Sequence, residues 1–267
     1  MPFNRRQFLS GFAASATSIY TTSRLLSIEN NDTLNIDNKS IRVIGHRGCS
    51  ATIKDNSIEG INCAIDSNAD GVELDIQRTK DDYLILSHEN YLFNSSGRIL
   101  RIDNHSLNEI IEFSEEEIVL LDDALDIISN ENNFEFFVGL KQPDSLEQII
   151  NKIKSYNILD NTTVQGWQVQ DFEPFLNNDT IDKVLVSSFP SQPLIDEALN
   201  NNIDSVMYHY TSQGNKHYND YARSNGLKSG YWVINDNPSD INRGLNTNPD
   251  FILTNRPRYT VELINNI

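Results

Sequence analysis

The chain has 267 residues, 38% of them hydrophobic, and a formal net charge of -17 at pH 7. A negative charge of this size repels phosphate backbones and anionic lipid headgroups, so it argues against nucleic acid or an anionic membrane as a bulk partner. The length leaves room for one domain of barrel size or for two small domains.

The N-terminal segment, residues 1–26, resembles a bacterial twin-arginine export signal. Arg5 and Arg6 precede a weakly apolar, uncharged run that continues to Ser23. This run is too short and too rich in Ser and Thr to span a bilayer, which takes about 20 mainly apolar residues. The alternative is a peripheral or disordered N-terminal helix. We therefore expect export to the periplasm or secretion, with no stable membrane span.

Strand-like and helix-like runs alternate along residues 41–267, which follow an Asn- and Asp-rich linker over residues 27–40. The predicted strands are Ile41–Gly45, Gly71–Ile76, Phe134–Lys141, Thr162–Trp167, Lys183–Ser188, Asp204–His209, Gly230–Ile234 and Phe251–Thr254. Helical patterns lie near Ser57–Ser67, Ser106–Phe113, Leu121–Asn130, Ser145–Tyr156, Val169–Asn177, Gln192–Asn201, Lys216–Asn225 and Pro238–Leu245. Eight strands separated by helices predict an α/β fold, a (β/α)8 TIM barrel with its functional site at the C-terminal ends of the strands.

A ninth strand-like run, Tyr83–Ser87, does not fit this alternation. Too few residues separate it from Ile76 for a parallel crossover, which needs about a dozen or more. We therefore predict a short hairpin insertion after the second strand. Such a hairpin would return His88 to a position over Glu73 and Asp75.

Ionisable residues stand at the ends of several of these buried strands. His46 and Arg47 follow the first strand, and His88 follows the hairpin run. Glu73 and Asp75 are two residues apart in a strand, so they share a face. A single strand-end histidine or a solvated pair of carboxylates is commonly structural, but buried charges need partners or metals. The combination predicts a site for a metal ion and a phosphate.

The same residues resemble the motifs of the glycerophosphodiester phosphodiesterase family. The family pattern runs HRG, PENT, G-x-E-x-D, TKDG and HD. The similar segments here are His46-Arg47-Gly48, Asn56, Gly71-Val72-Glu73-Leu74-Asp75, Thr79-Lys80-Asp81 and His88-Glu89. A weaker likeness continues through Leu120-Leu121-Asp122, Leu140-Lys141, Gly230 to Asn235 and Ile252 to Pro257. The resemblance thus covers the chain from about Ile41 to its C-terminus.

This resemblance implies metal-dependent hydrolysis of a small glycerophosphodiester to glycerol 3-phosphate and an alcohol. A hard divalent cation, Ca²⁺ or Mg²⁺, would offset charge on the phosphoryl group, while an acid and a base would move protons. The expected roles are acid–base catalysis for His46 and His88, metal binding for Glu73 and Asp75, phosphate binding for Arg47 and Lys141, and a substrate pocket wall for Trp232.

Gly139 is the main departure from the family pattern. The family usually has a third metal-ligand carboxylate two residues before the strand lysine, which is Lys141 here. Glu135 shares that strand face but should lie roughly 13 Å deeper in the barrel, so it cannot replace the missing ligand. Two carboxylates in place of three should weaken cation binding. Milder departures are Asp55, Glu89 and Asn255, where the family has Glu, Asp and Asp.

Cysteines and the remaining histidines fall outside the assigned roles. Cys49 follows the first strand and Cys63 lies inside the first helix, which suggests a separation too great for a disulfide and hence two free thiols. A nucleophilic pair of Cys49 with His46 is the alternative, but no third group is evident to orient it. His209 ends a predicted strand, and we expect it to be structural.

Three functions remain open from the sequence. The first is an active phosphodiesterase with a weak or water-completed metal site, which an intact pair of His46 and His88 favours. The second is a non-catalytic protein that binds a phosphorylated headgroup, which Gly139 favours. The third is a phosphorus–oxygen lyase or phospholipase acting on intact lipid, which a long apolar surface loop would favour. The sequence shows no such loop, and Tyr91-Leu92-Phe93 is the nearest candidate.

Overall fold

The structure, a computed structural model, describes residues 41–173, 175–177, 180–210, 215–234 and 238–266. The predicted signal (residues 1–26) and linker (residues 27–40) lie outside these residues. Within the described ranges, no helix combines the length and the apolar character that a membrane crossing requires.

Eight parallel strands form a closed barrel, as predicted. In chain order the strands are β1 (Arg42–His46), β2 (Gly71–Arg78), β3 (Leu84–Leu86), β4 (Tyr91–Phe93), β5 (Ile99–Arg101), β6 (Glu135–Leu140), β7 (Thr162–Gly166), β8 (Asp182–Ser187), β9 (Ser205–His209), β10 (Lys228–Ile234) and β11 (Phe251–Thr254). All except β3, β4 and β5 belong to the barrel, in which each strand pairs with the next in sequence and β11 pairs with β1. Runs of β-branched and apolar residues that are buried on both faces account for these strands.

Eight α-helices accompany the barrel within the described residues. They are α1 (Ile58–Asp66), α2 (Leu107–Phe113), α3 (Leu121–Ile128), α4 (Leu146–Ser155), α5 (Gln192–Asn200), α6 (Asn215–Ser224), α7 (Pro238–Leu245) and α8 (Pro257–Asn265). Ser57 caps α1 and Ser106 caps α2, each by accepting a hydrogen bond from a backbone N–H of the first turn. These caps explain why the helices begin where the sequence places them.

One predicted helix, Val169–Asn177, is wrong in its described part. The chain forms a short 3₁₀ helix at Val169–Phe172, and Glu173 leaves it with a ψ of 134°. Glu173 precedes a proline, whose ring disfavours the α conformation of the residue before it.

The barrel interior is filled below the C-terminal ends of the strands. One buried cluster includes Ile44, Phe137, Val184, Met207 and Phe251 from five different strands. Residues two positions further along these strands therefore point into the mouth of the barrel. The opposite strand faces pack against the helices in a larger buried cluster.

The predicted hairpin after the second barrel strand is confirmed. β3 runs antiparallel to β2, with Leu86 opposite Ile76, and the Ser87 N–H donates to the Asp75 carbonyl at 3.0 Å. This contact returns the chain to the barrel mouth just before His88. The two-stranded sheet of β4 and β5 follows and was not predicted.

The prediction of two free thiols is wrong, because Cys49 and Cys63 form a disulfide with a Cα–Cα distance of 6.0 Å. The loop after β1 lies directly on α1. Gly48 has a φ of +93°, and a Cβ on it would stand 2.5 Å from the backbone of Gly60. Two glycines thus allow a backbone approach that brings Cys49 within bridging distance.

Candidate active site

One pocket at the C-terminal ends of the barrel strands contains every residue assigned to the site from the sequence. Its lining includes His46, Arg47, Glu73, Asp75, His88, Lys141 and Trp232. The hairpin and seven barrel strands or the turns that follow them contribute to it. This position agrees with the location of functional sites in barrels of this type.

His46 is held as a neutral ring with one nitrogen committed. Its Nδ1 lies 2.7 Å from the Oδ1 of Asn255, which also accepts a hydrogen bond from the Ser50 hydroxyl. Because the amide oxygen can only accept, Nδ1 carries the proton and Nε2 keeps its lone pair. Burial, followed by the charge of Arg47, lowers the pKa of His46 to about 4. The ring is therefore a base at neutral pH.

His88 occupies a more exposed position at the mouth. Its Nδ1 lies 2.7 Å from the Oε1 of Glu89, the neighbouring residue. The carboxylate accepts from Nδ1–H and orients the ring over the pocket that it lines.

Glu73 and Asp75 are both buried, and Asp75 is surrounded by positive charge. Lys141 Nζ lies 2.7 Å from Asp75 Oδ1, and Arg47 Nε lies 3.0 Å from Asp75 Oδ2. Burial opposes ionisation of Asp75, but Lys141 and Arg47 hold its pKa below the usual range. Burial and then the charge of Asp75 raise the pKa of Glu73 to about 8. Asp75 is thus the more acidic of the two, and burial beside it disfavours the ionised form of Glu73.

The turn after β1 aims Arg47 at these acids. Its φ of 50° lies in the left-handed region, which is costly for a residue with a side chain. The backbone N–H of Arg47 donates to Glu73 Oε2 at 3.1 Å, and its guanidinium also pairs with Asp55 at 2.9 Å. Asn56 donates to Asp75 Oδ2 and accepts from its backbone N–H, both at 3.0 Å. Arg47 and Asn56 therefore both contact Asp75.

Glu73 and Asp75 converge on the space beside Gly139. Glu73 Oε1 and Asp75 Oδ1 each lie 2.7 Å from the point where a Cβ on residue 139 would stand. Convergent carboxylate oxygens suit a hard cation, and Mg²⁺ is commonly held by one or two carboxylates together with substrate phosphates. In the described ranges, no cluster of three or more His, Cys, Asp or Glu side chains could hold a metal. The residues thus fit a cation site with two protein carboxylates.

Glu135 lies away from this site, as expected. It occupies the first position of β6, four residues before Gly139, and pairs with Arg42 at 2.5 Å. Arg42 is likewise the first residue of β1. The pair therefore belongs to the N-terminal end of the barrel, opposite the mouth.

Aromatic rings form the wall of the pocket opposite Glu73 and Asp75. Trp232 packs edge to face with Trp167 at a centroid distance of 5.3 Å, and its Nε1 donates to the Ser187 carbonyl at 3.1 Å. His209, expected to be structural, contacts the Trp232 ring at 5.6 Å. Trp167 was not identified from the sequence, because it follows its strand in a segment without a recognised motif.

The family of the chain is shown by comparison with known proteins. The sequence pattern of the glycerophosphoryl diester phosphodiesterase family matches residues 46–259. A glycerophosphodiester phosphodiesterase of Caldanaerobacter subterraneus is 30% identical over 139 residues, which cover 47% of this chain and 57% of that protein. One from Bacillus altitudinis is 26% identical and is covered to 58%. The chain thus spans a little over half the length of these curated relatives.

Solved structures of similar fold agree. A glycerophosphodiester phosphodiesterase from Parabacteroides distasonis superposes with a TM-score of 0.74 at 19% identity, covering 85% of this chain and 98% of that one. A phosphodiesterase from Oleispira antarctica, solved with its product sn-glycerol-3-phosphate, gives a TM-score of 0.67 at 17% identity and covers 84% and 96% of the two chains. At identities this low, the superpositions establish the barrel fold alone. The sequence match runs from His46 to Tyr259 and spans most of the chain, so the chain belongs to the glycerophosphoryl diester phosphodiesterase family.

Proposed function

We propose that this protein hydrolyses glycerophosphodiesters to glycerol 3-phosphate and an alcohol. The observation that carries the proposal is the meeting of two histidines, two cationic side chains and two buried acids in one pocket. A phosphodiester needs positive charge at its phosphoryl oxygens and a base and an acid for the entering and leaving oxygens. The pocket offers all three.

Arg47 and Lys141 provide the positive charge. Both contact Asp75, yet each keeps N–H groups beyond those that face it, since a guanidinium has five donors and an ammonium three. A phosphoryl group entering the pocket can therefore be bound while Asp75 still fixes both cations. Arg47 suits a forked contact and Lys141 a point contact.

The two histidines move the protons. His46 Nε2 takes the proton of the substrate's glycerol 2-hydroxyl as that oxygen attacks phosphorus. The bond from phosphorus to the alcohol oxygen breaks, and protonated His88 gives this oxygen a proton. In a second step His88 takes a proton from water, whose oxygen opens the cyclic phosphate, and His46 returns its proton to the 2-oxygen. Each histidine ends the cycle in its starting form.

Members of this family generally depend on a divalent metal ion. Glu73 and Asp75 would hold Ca²⁺ or Mg²⁺, and the ion would neutralise charge on the phosphoryl oxygens. Without a third protein carboxylate, the affinity of this site depends more on the phosphate that completes it. We expect weak cation binding by the free protein and tighter binding in the presence of substrate.

Export is part of the same proposal. The pair Arg5-Arg6 near the N-terminus favours it, and the disulfide between Cys49 and Cys63 supports it, because disulfides persist in oxidising compartments. The substrate would then be met outside the cytoplasm.

Action on intact lipid is a second candidate, favoured by one surface. Phe93 and Ile99 are each 62% exposed and lie opposite each other in the sheet of β4 and β5, beside the exposed Tyr91. This apolar face follows His88 in the chain. Apolar side chains in such a position can contact an acyl chain or a bilayer surface.

The test is release of glycerol 3-phosphate from glycerophosphocholine and glycerophosphoethanolamine, with added Ca²⁺, with Mg²⁺ and with a chelator. A lysophospholipid as substrate tests the second candidate. His46→Ala and His88→Ala should each abolish turnover in a folded protein, whereas His217→Ala, an exposed histidine outside the pocket, should not. Normal rates in either pocket variant would refute the acid–base assignment.

A further inference from the structure

Gln165 has a buried amide donor that the proposed mechanism does not use. It is the fourth residue of β7 and lines the pocket. Its Nε2 is shielded from solvent and makes no hydrogen bond to any of the described residues. A buried N–H in this condition has lost its hydrogen bond to water and gained nothing in return, which is uncommon in folded proteins.

The neighbouring strand offers this donor no side-chain acceptor of its own at the paired position. Gln165 pairs with Gly139 in the register of β6 and β7, so the adjacent pocket-facing position has no side chain. Gly139 in turn pairs with Asp75. Gln165 therefore lies in the same row of the barrel as Asp75, and two residues below Trp167 on its own strand. This row is the level of the acids and of the cations that contact them, not the level of the aromatic wall.

We propose that Gln165 Nε2 donates a hydrogen bond to a phosphoryl oxygen of the substrate held by Arg47 and Lys141. The inference deepens the proposed function and rests on it. Phosphoryl oxygens accept hydrogen bonds and cannot donate them, so they complement a group whose unsatisfied atom is a donor. The Glu73 and Asp75 carboxylates occupy the space beside Gly139, so a phosphoryl oxygen would approach Gln165 from the pocket that Gln165 lines.

Two substitutions distinguish donation to the phosphate by Gln165 from an acceptor role and from a purely structural role. Gln165→Met keeps the length of the side chain and removes both polar atoms. Gln165→Glu keeps an acceptor oxygen, removes the donor and adds a negative charge. Gln170→Met, at an exposed position after the same strand, is the matched control. The readouts are calorimetric titration of the full chain with sn-glycerol 3-phosphate and inorganic phosphate, and the melting temperature without ligand.

We expect Gln165→Met to bind glycerol 3-phosphate about 10- to 100-fold more weakly, which is the loss of affinity typical of removing a hydrogen bond to a charged group. Gln165→Glu should bind more weakly still, because its carboxylate repels the phosphate. The melting temperature of Gln165→Met should stay the same or rise, since the substitution removes an unsatisfied buried donor. Gln170→Met should match the wild type.

Three results would overturn the proposal. Unchanged phosphate affinity in Gln165→Met would exclude the contact, and a lowered melting temperature with unchanged affinity would assign Gln165 a structural role. Retained affinity in Gln165→Glu would mean that residue 165 acts as an acceptor. Failure of the wild type to bind either ligand would also refute it. Because titration needs no turnover, a protein that binds phosphate through Gln165 but does not hydrolyse glycerophosphocholine would refute the proposed function alone.

Discussion

Gly139 and Asp75 lie side by side in β6 and β2, and the Asp75 carboxylate occupies the space that a side chain on residue 139 would need. A Cβ there would stand 2.7 Å from Asp75 Oδ1 and 3.2 Å from the Asp75 Cα. The Glu73 carboxylate is equally close. The position of the missing third acid is therefore filled by the two acids that remain.

Gly139→Glu should make stability depend strongly on the cation. A third carboxylate adds a ligand for Ca²⁺ or Mg²⁺, but without metal it adds like charge and displaces Glu73 and Asp75. We expect a lower melting temperature than that of the wild type in chelator and a larger rise on addition of Ca²⁺. Thermal denaturation across a Ca²⁺ titration measures both.

Gly139→Ala is the control for crowding. It displaces the same carboxylates without supplying a ligand, so it should lose stability in chelator and show no enlarged response to Ca²⁺. An unchanged Ca²⁺ affinity in Gly139→Glu would indicate that residue 139 does not face the two acids.

Asn255→Asp should move the acid limb of the pH–rate profile. Burial keeps the pKa of His46 at about 4, so His46 remains a base down to that pH. A carboxylate in place of the Asn255 amide favours the imidazolium and should raise this pKa by about one unit or more. The fall of kcat/KM at acid pH should then begin correspondingly higher. Asn151→Asp, which adds the same charge at an exposed site on α4, should leave the profile unchanged.

The lowered pKa of His46 also makes the free energy of unfolding depend on pH. Because the pKa of folded His46 lies below the reference value of 6.5, the unfolded chain binds more protons between pH 6.5 and about 4. The contribution of His46 to the free energy of unfolding is therefore complete above pH 6.5 and lost as the pH falls towards 4. Because Asn255→Asp raises the pKa of folded His46 towards the reference value, it narrows the pH range over which the two states bind different numbers of protons. Urea unfolding at pH 7 and pH 5 should show a smaller pH effect in the variant, and equal pH effects would contradict the pKa assignment.

The sequence was sufficient for the barrel because each barrel strand is a run of apolar and β-branched residues, and helical patterns separate most of them. It was also sufficient for the polar residues of the mouth, which follow those strands directly. Gln165 was not predicted from the sequence because its strand, Thr162–Gly166, has no unusual residue pattern. Its significance depends on the neighbouring position being Gly139, which is a matter of register between strands.

Two further differences have local causes. β4 and β5 have three residues each, which is too short for an alternating pattern to be recognised. The disulfide depends on how closely the loop after β1 approaches α1, and that approach is set by Gly48 and Gly60. Sequence separation alone gives no measure of such a distance.

Reduction of the disulfide should destabilise the protein and loosen the support of His46. Cys49 and Cys63 are 14 residues apart, and closing a loop of this size contributes about 3 kcal/mol to the free energy of unfolding. The bridged loop also carries Ser50, which donates to the Asn255 oxygen that binds His46. Dithiothreitol should therefore lower both the unfolding free energy and kcat.

The matched control is the double variant Cys49→Ser/Cys63→Ser. It should resemble the reduced wild type and should not respond to dithiothreitol. Equal unfolding free energies for the oxidised and reduced wild type would show that the bridge adds no stability.

The aromatic wall should favour an alcohol that carries a quaternary ammonium group. Trp167 is 51% exposed and packs edge to face on Trp232, so indole surface borders the pocket opposite the acids. The pocket lining also includes the apolar side chains of Leu140, Val186, Val233 and Leu253. A trimethylammonium group binds aromatic faces without needing a hydrogen-bond acceptor, whereas a primary ammonium needs acceptors to replace its water. Trp167→Ala should therefore raise KM for glycerophosphocholine about 3- to 10-fold and change KM for glycerophosphoethanolamine much less.

The KM of Trp167→Phe for glycerophosphocholine should lie between the values of the wild type and Trp167→Ala. Tyr83→Ala, which removes an exposed aromatic ring outside the pocket, should alter KM for neither substrate. Equal losses for both substrates would indicate that Trp167 shapes the pocket without selecting the headgroup.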